Sequence, residues 1–257
     1  MSLHQETRGQ GGLPLVCLHG WGLNLRVFDH FEGLLAASHE VCSIDLPGHG
    51  ASPWDPARAS LAAQAEQLIE AMPSRCALLG WSLGGQLALH IAHRWPERVS
   101  KLVLVATTPR FVADDHWTAG MSPELMQRFA AQLARDWHAT VDEFLQLQVR
   151  GSRDATQALI ELQRALREHG EAHPDALAAG LEILRTADLR DSARAIAVPT
   201  LVIAGQHDRI TPAAASDWLV ANMPQAQGLT LPRAGHAPFL SHAPDFAAAL
   251  AAFLDAA

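Results

Sequence analysis

Ser82 has the surroundings a nucleophile needs. It stands in Gly80-Trp81-Ser82-Leu83-Gly84-Gly85, with the apolar run Cys76 to Leu79 before it and a stretch of helical apolar spacing to Arg94 after it. A G-x-S-x-G match is common by chance, and its weight comes from a strand before and a helix after. The residue types follow from the geometry. A serine at the tip of a strained turn needs small neighbours two positions away on either side, and Gly80 and Gly84 supply them. A helix starting at the serine also directs its N-terminal N–H groups and positive dipole end at the reacting atom.

A serine hydroxyl is a weak nucleophile until a base takes its proton, and the base must be oriented by an acid. Asp208 lies in Gly205-Gln206-His207-Asp208, directly after the apolar run Thr200 to Gly205. His236 lies in Arg233-Ala234-Gly235-His236-Ala237-Pro238-Phe239, past the next strand-like run. The chain order serine, acid, histidine suits a serine on a strand-to-helix turn. His207 and His242 are the rival bases, and Asp188 and Asp217 the rival acids. His207 adjoins Asp208, His242 precedes the last helix, and Asp217 falls within a helix, so loop position favours Asp208 and His236. An oxyanion formed at Ser82 needs two donors. The backbone N–H of Leu83 is one; that of Trp21, in the loop after the Leu15 run, is best placed to be the other.

These residues imply the elements that must carry them. Strand-like apolar runs at Leu15–Leu18, Val41–Ile44, Cys76–Leu79 and Lys101–Val105 alternate with helical spacing at 26–37, 61–72 and 83–94. Such alternation predicts an α/β fold with a mostly parallel central sheet and helices on both faces. After Arg110 the alternation stops. Helical patterns alone follow, at 122–135, 140–149, 153–169 and 174–184, with Ser122-Pro123-Glu124 reading as an N-cap and first turn. The strand pattern returns at Thr200–Gly205 and Gly228–Leu231, with helices expected at 213–222 and 244–254. One discontinuous core, 1–110 and 186–257, is therefore expected to carry an all-helical lid, 111–185, over the carboxyl ends of the strands, where open α/β sheets bind ligands.

Composition excludes several classes. The 257 residues are 49% hydrophobic, enough for a sizeable core, and carry a net charge of −8 at pH 7. That balance is opposite to a nucleic-acid-binding footprint. No apolar run approaches a membrane span, and the first residues lack the basic and apolar regions of a signal peptide. Cys17, Cys42 and Cys76 are odd in number, lie in apolar runs and form no C-x-x-C pair. Reduced thiols in a cytoplasmic protein, with no metal site, are the expectation.

At these residues the chain resembles the α/β-hydrolase superfamily and, more narrowly, the pimeloyl-[acyl-carrier protein] methyl ester esterases of biotin biosynthesis. The resemblance is carried by Leu18-His19-Gly20-Trp21-Gly22-Leu23-Asn24, Gly80 to Gly85, Phe144-Leu145-x-Leu147-Gln148, Gly180 to Thr186 with Asp188-Leu189-Arg190, and His236-Ala237-Pro238-Phe239 with Ser241-His242. It runs over nearly the whole chain. It implies a serine carboxylesterase of the α/β-hydrolase fold, with Ser82 as nucleophile, His236 as base, Asp208 as its orienter and Trp21 and Leu83 as oxyanion donors. Substrate would meet Trp21, Ser82, Leu83, His236 and the lid segment Phe144, Leu145, Gln146, Leu147 and Gln148. The implied reaction releases methanol from the far end of a pimeloyl chain and needs no cofactor or metal. The implied partner is a transiently bound acyl carrier protein; small esters are further substrates, and neither nucleic acid nor membrane is involved. A monomer is expected. The same constellation would also serve a general short-chain carboxylesterase, a lactonase or a carbon–carbon bond hydrolase.

An acidic carrier calls for a basic surface, yet residues 111–185 hold seven arginines against twelve acidic residues. A local patch is the alternative. On a helix spanning 153–169, Arg153, Ile160, Arg164 and Arg167 would share one face, opposite Leu159, Leu162 and Leu166, with Arg150 just upstream. An exposed isoleucine among arginines suits a small, charged, transient contact.

Overall fold

A computed structural model describes residues 2–256. Seven strands form one sheet: β1 (Gln5–Arg8), β2 (Leu15–Leu18), β3 (Val41–Ile44), β4 (Cys76–Trp81), β5 (Val99–Val105), β6 (Thr200–Gly205) and β7 (Ala226–Leu231). Their spatial order is β1-β3-β2-β4-β5-β6-β7. β1 runs antiparallel to β3; every other pair is parallel. β2, β3, β4 and β6 are buried at every position. A strand covered on both faces reads as an unbroken apolar run, which is why these were visible in the sequence. β1 is the polar run Gln-Glu-Thr-Arg on the sheet edge, alternating exposed and half-buried, and has no such signature.

The parallel register sets the site. Leu18 pairs with Gly80, Trp81 with Val105, Val105 with Ile203, and Gly205 with Leu231. The carboxyl ends of β2, β4, β5, β6 and β7 are thereby level, and the loops that follow them emerge along one edge. The covering helices are α1 (Asp29–Leu35), α2 (Leu61–Ala71) and α3 (Leu83–Arg94) before β5, and α8 (Arg190–Ala195), α9 (Ala213–Asn222), α10 (Pro238–Ser241) and α11 (Ala243–Asp255) toward the end. Between β5 and α8 stand α4 (Pro123–Arg135), α5 (Trp137–Val149), α6 (Ala155–His169) and α7 (Pro174–Thr186). Among the described residues, no helix is long and apolar enough to cross a membrane.

Local chemistry moves several boundaries from those the spacing predicts. Asn24 caps a 3-10 turn over Leu25–Phe28 by accepting from the Arg26 N–H at 3.1 Å, so the expected helix from Arg26 begins as α1 only at Asp29. Asp136 accepts from the Ala139 N–H at 3.0 Å and starts α5 three residues before Thr140. Ser122 caps α4 by the same means, with Pro123 in its first turn. Asp154 has φ +57°, a left-handed conformation that a helix interior does not admit. α6 therefore starts at Ala155, and Arg153 lies outside it. This corrects the expected helix over 153–169.

Polar tethers bind the α4–α7 segment to the sheet. The Asn24 side-chain amide donates to the carbonyls of Ala165 (3.0 Å) and Gly170 (2.9 Å). Trp21 Nε1 donates to the Leu177 carbonyl at 2.8 Å. His169 Nε2, at the end of α6, donates to Asp45 Oδ2 at 2.7 Å. Because Asn24 is fully buried, each of these bonds also prevents an unpaired polar atom inside the protein. Cys17, Cys42 and Cys76 are buried and unpaired, and burial pushes the Cys76 thiol up to about 12.

Candidate active site

Ser82 closes β4 and opens α3 with φ +56° and ψ −116°, far from any relaxed region for a residue with a Cβ. The turn is held on all sides. The Ser82 N–H donates to the Val105 carbonyl at 3.0 Å, and the Ser82 carbonyl accepts from the Gly85 N–H at 2.9 Å and Thr107 Oγ1 at 2.7 Å. A Cβ on Gly80 would strike the Gly84 carbonyl, and one on Gly84 would strike the Leu18 carbonyl. The small residues are thus demanded by backbone-to-backbone contact. Gly20 crosses above, where an added Cβ would lie 3.3 Å from the Ser82 Cβ and 3.2 Å from the Trp81 ring.

His236 and Asp208 arrive from the loops after β7 and β6. His236 Nδ1 donates to Asp208 Oδ2 at 2.8 Å, with both side chains buried. The carboxylate is fixed by three more bonds: Oδ1 accepts from the N–H groups of Ile210 (2.8 Å) and Thr211 (3.0 Å), and Oδ2 accepts from Thr211 Oγ1 at 2.6 Å. With Nδ1 committed as a donor, the neutral imidazole keeps Nε2 as an acceptor. His236 Nε2 is buried and has no hydrogen-bond partner among the described residues. It therefore makes no bond to Ser82 Oγ in this structure; such bonds tighten when substrate is bound. The elbow and the His236 loop are joined through Trp81, the residue before Ser82: its Nε1 donates to the His236 carbonyl at 2.8 Å and its ring stands 5.7 Å from the imidazole.

The rival residues are engaged elsewhere. His207 Nδ1 donates to the Gly151 carbonyl at 2.9 Å, and His242 Nδ1 pairs with Ser241 Oγ at 2.9 Å. Asp188 is bound by Arg110 and Arg190, and Asp217 is exposed on α9.

Leu83 is the first residue of α3, so its N–H has no carbonyl partner one helical turn back. Trp21 follows Gly20 over the serine. Two histidines brace that loop, a role the sequence alone did not reveal. His19 Nδ1 donates to the Gly20 carbonyl at 2.8 Å while its Nε2 accepts from the Leu46 N–H at 2.9 Å. His49 Nδ1 donates to the Pro47 carbonyl at 3.1 Å, and its Nε2 accepts from the Gly22 N–H at 3.4 Å. Each ring is a donor on one side and an acceptor on the other, which requires the neutral form. Burial enforces it: His19 is lowered from its usual range, and His49 falls to about 3.

An apolar cavity lies beside this edge, lined among others by Trp21, Met126, Phe129, Phe144, Leu147 and Leu181. The Trp21 ring packs edge-on against Phe144 at 5.2 Å and Phe129 at 5.4 Å. Neither Ser82 nor His236 lines this cavity. Trp21 joins the two regions, since Gly20 before it lies over Ser82 and its ring stands in the cavity wall. On α5, Phe144, Leu145 and Gln148 are buried and Leu147 is half-buried. Gln146 is exposed and lines a separate outer groove with Arg150, so it is not part of the apolar cavity.

The arginines expected to form a patch are dispersed. Ile160 is 46% exposed and shares the outer face of α6 with Arg164 and Arg167, both exposed. Arg164 pairs with Glu161 at 3.1 Å. Arg150 and Arg153 sit on the α5–α6 connection, where Arg153 meets Asp154 at 3.3 Å. Among the described residues, one group of potential metal donors converges: His4, Asp45 and His169, within 4.8 Å of one another. Asp45 is occupied by the His169 bond and by the N–H groups of Leu25 (2.8 Å) and Ala51 (2.9 Å), which makes this group a tether of α6.

Residues 14–243 match the alpha/beta hydrolase fold family. Over 245 residues the chain is 43% identical to a pimeloyl-[acyl-carrier protein] methyl ester esterase of Nitrosomonas europaea, covering 95% of this chain and 96% of that one. It is 42% identical over 255 residues to the protein of the same name in Chromobacterium violaceum, covering 99% of both. Among solved structures, an esterase from Exiguobacterium antarcticum superposes with a TM-score of 0.89 at 22% identity, over 99% of this chain and 96% of that one. At that identity the likeness concerns the fold.

Proposed function

The chain belongs to the alpha/beta hydrolase fold family and, within it, to the pimeloyl-[acyl-carrier protein] methyl ester esterases; on that premise we propose how its residues carry the reaction. The enzyme is a carboxylic ester hydrolase that cleaves the methyl ester of pimeloyl-acyl carrier protein. Ser82 Oγ attacks the ester carbonyl while His236 Nε2 takes its proton, and Asp208 holds the imidazole and stabilises its charged form. The oxyanion meets the N–H groups of Leu83 and Trp21. Collapse of the tetrahedral intermediate expels methanol, protonated by His236. Water, deprotonated by the same imidazole, then attacks the acyl-enzyme and releases the free carboxylate with Ser82 regenerated.

The observation that carries this reading is the 2.8 Å bond from His236 Nδ1 to a fully ligated Asp208, with Nε2 buried and without a partner among the described residues, in a loop that Trp81 ties to the strained Ser82 turn. The apolar cavity walled by Trp21, Phe129 and Phe144 suits a hydrocarbon chain, and residues 111–185 act as the lid that forms it. Acyl carrier protein delivers the substrate and meets the lid's outer surface, where Arg150, Arg153, Ile160, Arg164 and Arg167 are the contact candidates. Arg164 and Arg167 beside exposed Ile160 are the strongest of these, because they share one helix face.

The test is hydrolysis of carrier-bound pimeloyl methyl ester against a free short-chain methyl ester. Ser82→Ala should lower kcat on both by roughly 10⁴-fold or more. Arg164→Glu with Arg167→Glu should weaken turnover of the carrier-bound ester alone. A double variant that loses nothing on the carrier would remove this patch from the account, and an active Ser82→Ala would remove the nucleophile.

A further inference from the structure

The loop that presents His236 is held by three parts of the chain. On the sheet side, Trp81 Nε1 donates to the His236 carbonyl at 2.8 Å. The loop after β6 holds it too, because the His207 N–H donates to the Ala234 carbonyl at 2.8 Å and Gln206 Oε1 accepts from the Arg233 N–H at 3.2 Å; further bonds come from the end of α5 and the turn that follows it. The His236 N–H donates to the Gln148 carbonyl at 2.9 Å, at the end of α5. The Gly235 N–H donates to Ser152 Oγ at 2.9 Å. The Arg153 N–H donates to the Arg233 carbonyl at 2.8 Å. The same turn reaches the acid's loop, because the Gly151 carbonyl accepts from His207 Nδ1 at 2.9 Å, one residue before Asp208.

Backbone strain marks the same place. Of the four non-glycine residues with positive φ among those described, one is Ser82 itself and one is Ala106, next to the Val105 carbonyl that holds the Ser82 N–H, while Asp154 and Arg233, each at +57°, flank this junction. A left-handed residue with a Cβ persists only where its surroundings over-determine it, and such residues gather at functional sites. Gly235 itself is packed too closely for a side chain: an added Cβ would lie 2.5 Å from Ser152 Oγ and 2.9 Å from the Gln148 carbonyl.

We propose that Ser152 is a positioning residue for the base: its hydroxyl, on the α5–α6 turn, fixes the Gly235–His236 backbone and so sets where His236 Nε2 stands relative to Ser82. This rests on the reading of His236 as the base. In this arrangement the helical segment does more than cover the site, because part of it forms the scaffold of the catalytic histidine. Among the described residues, the Ser152 bond is the one side-chain contact from the turn to the histidine's own loop, and so the one that a substitution can remove cleanly. Losing it leaves the N–H of buried Gly235 without its acceptor and loosens the Ala234–Gly235 peptide, which the His207 N–H then holds through its carbonyl alone. A displacement of the base on the order of 1 Å is enough to cost roughly 100-fold in rate. Substrate affinity should not change, since Ser152 lines neither the apolar cavity nor the oxyanion loop.

The experiment compares wild type, Ser152→Ala, Ser152→Thr and His236→Ala on a free short-chain methyl ester, well below the melting temperature of each. The downfield proton resonance of His236 Nδ1–H is recorded alongside. Ser152→Ala is expected to lower kcat by roughly 10- to 100-fold at unchanged KM, and to shift or broaden that resonance. Ser152→Thr, which keeps the hydroxyl, should restore both. Wild-type kcat in Ser152→Ala, with His236→Ala inactive, would overturn the positioning role and leave the base assignment standing. A fall in kcat that follows a lowered melting temperature with the resonance unmoved would overturn it equally. Activity retained in His236→Ala would overturn the base assignment and this proposal together.

Discussion

The two halves of the proposed reactive centre are built differently. The nucleophile half is local. Ser82 is placed by residues within a few positions of it and by the strands on either side, through contacts so close that Gly80 and Gly84 admit no Cβ. The base half is assembled from distant pieces. His236 depends on Asp208 from another loop, on Trp81 from the elbow, and on Gln148 and Ser152 from the helical segment. Local geometry leaves a motif in the sequence; assembled geometry leaves only its end residues. The difference also predicts how each half fails. Damage to the elbow should disturb the fold and the chemistry together, whereas damage to the base's supports should lower the rate within an intact fold.

The sharpest test of that contrast is Asp208→Asn. An amide in place of the carboxylate can present its N–H to His236 and stabilise the wrong tautomer, which in triads of this kind costs about 10⁴ in kcat. Steady-state kinetics should show that loss while the circular dichroism spectrum stays unchanged. Gly80→Ala should act otherwise. Its Cβ meets the Gly84 carbonyl and Gly85, so both activity and thermal midpoint should drop, the latter by the equivalent of about 1–3 kcal/mol of overpacking. Trp81→Phe keeps an aromatic ring against Phe239 and His236 but removes the donor to the His236 carbonyl. A drop of roughly fivefold in kcat, with KM held, is expected for a lost neutral hydrogen bond of about 1 kcal/mol.

The smallest effect on catalysis is expected at Glu32, remote from both halves. Its carboxylate is buried, accepts from Ser43 and lies 3.6 Å from Arg8 Nε. Burial nonetheless raises its pKa from 4.5 to about 7. The folded protein therefore binds a proton that the unfolded chain has released at pH between those values. Stability should fall as pH rises through that window, by up to about 3 kcal/mol. Urea midpoints at pH 5.5 and 8 should diverge more for wild type than for Glu32→Gln, while kcat is the same for both.

What the sequence disclosed follows the same division. Parallel strands buried on both faces announce themselves as apolar runs, and Ser82 and Asp208 stand at their ends in glycine-marked loops, while His236 follows the edge strand β7 in a loop of the same kind. The edge strand Gln5–Arg8 was hidden because an antiparallel edge half-open to water need not be apolar. Arg153 was misplaced onto a helix because nothing in its spacing reveals that Asp154 adopts a left-handed backbone. The short helices α8 and α10 are too brief for periodicity to register. His19 and His49 brace the Trp21 loop through backbone partners, and Ser152 meets Gly235 across 83 positions of chain. Such contacts depend on tertiary arrangement and carry no spacing signal.

The most direct test of the central claim is covalent. Wild type, Ser82→Ala and Asp208→Asn would be treated with a serine-directed fluorophosphonate and followed by intact mass and peptide mapping. One adduct on Ser82 is expected in the wild type, none in Ser82→Ala, and slow labelling at the same residue in Asp208→Asn. An unlabelled wild type, an adduct on another residue, or labelling of Asp208→Asn at the wild-type rate would contradict it.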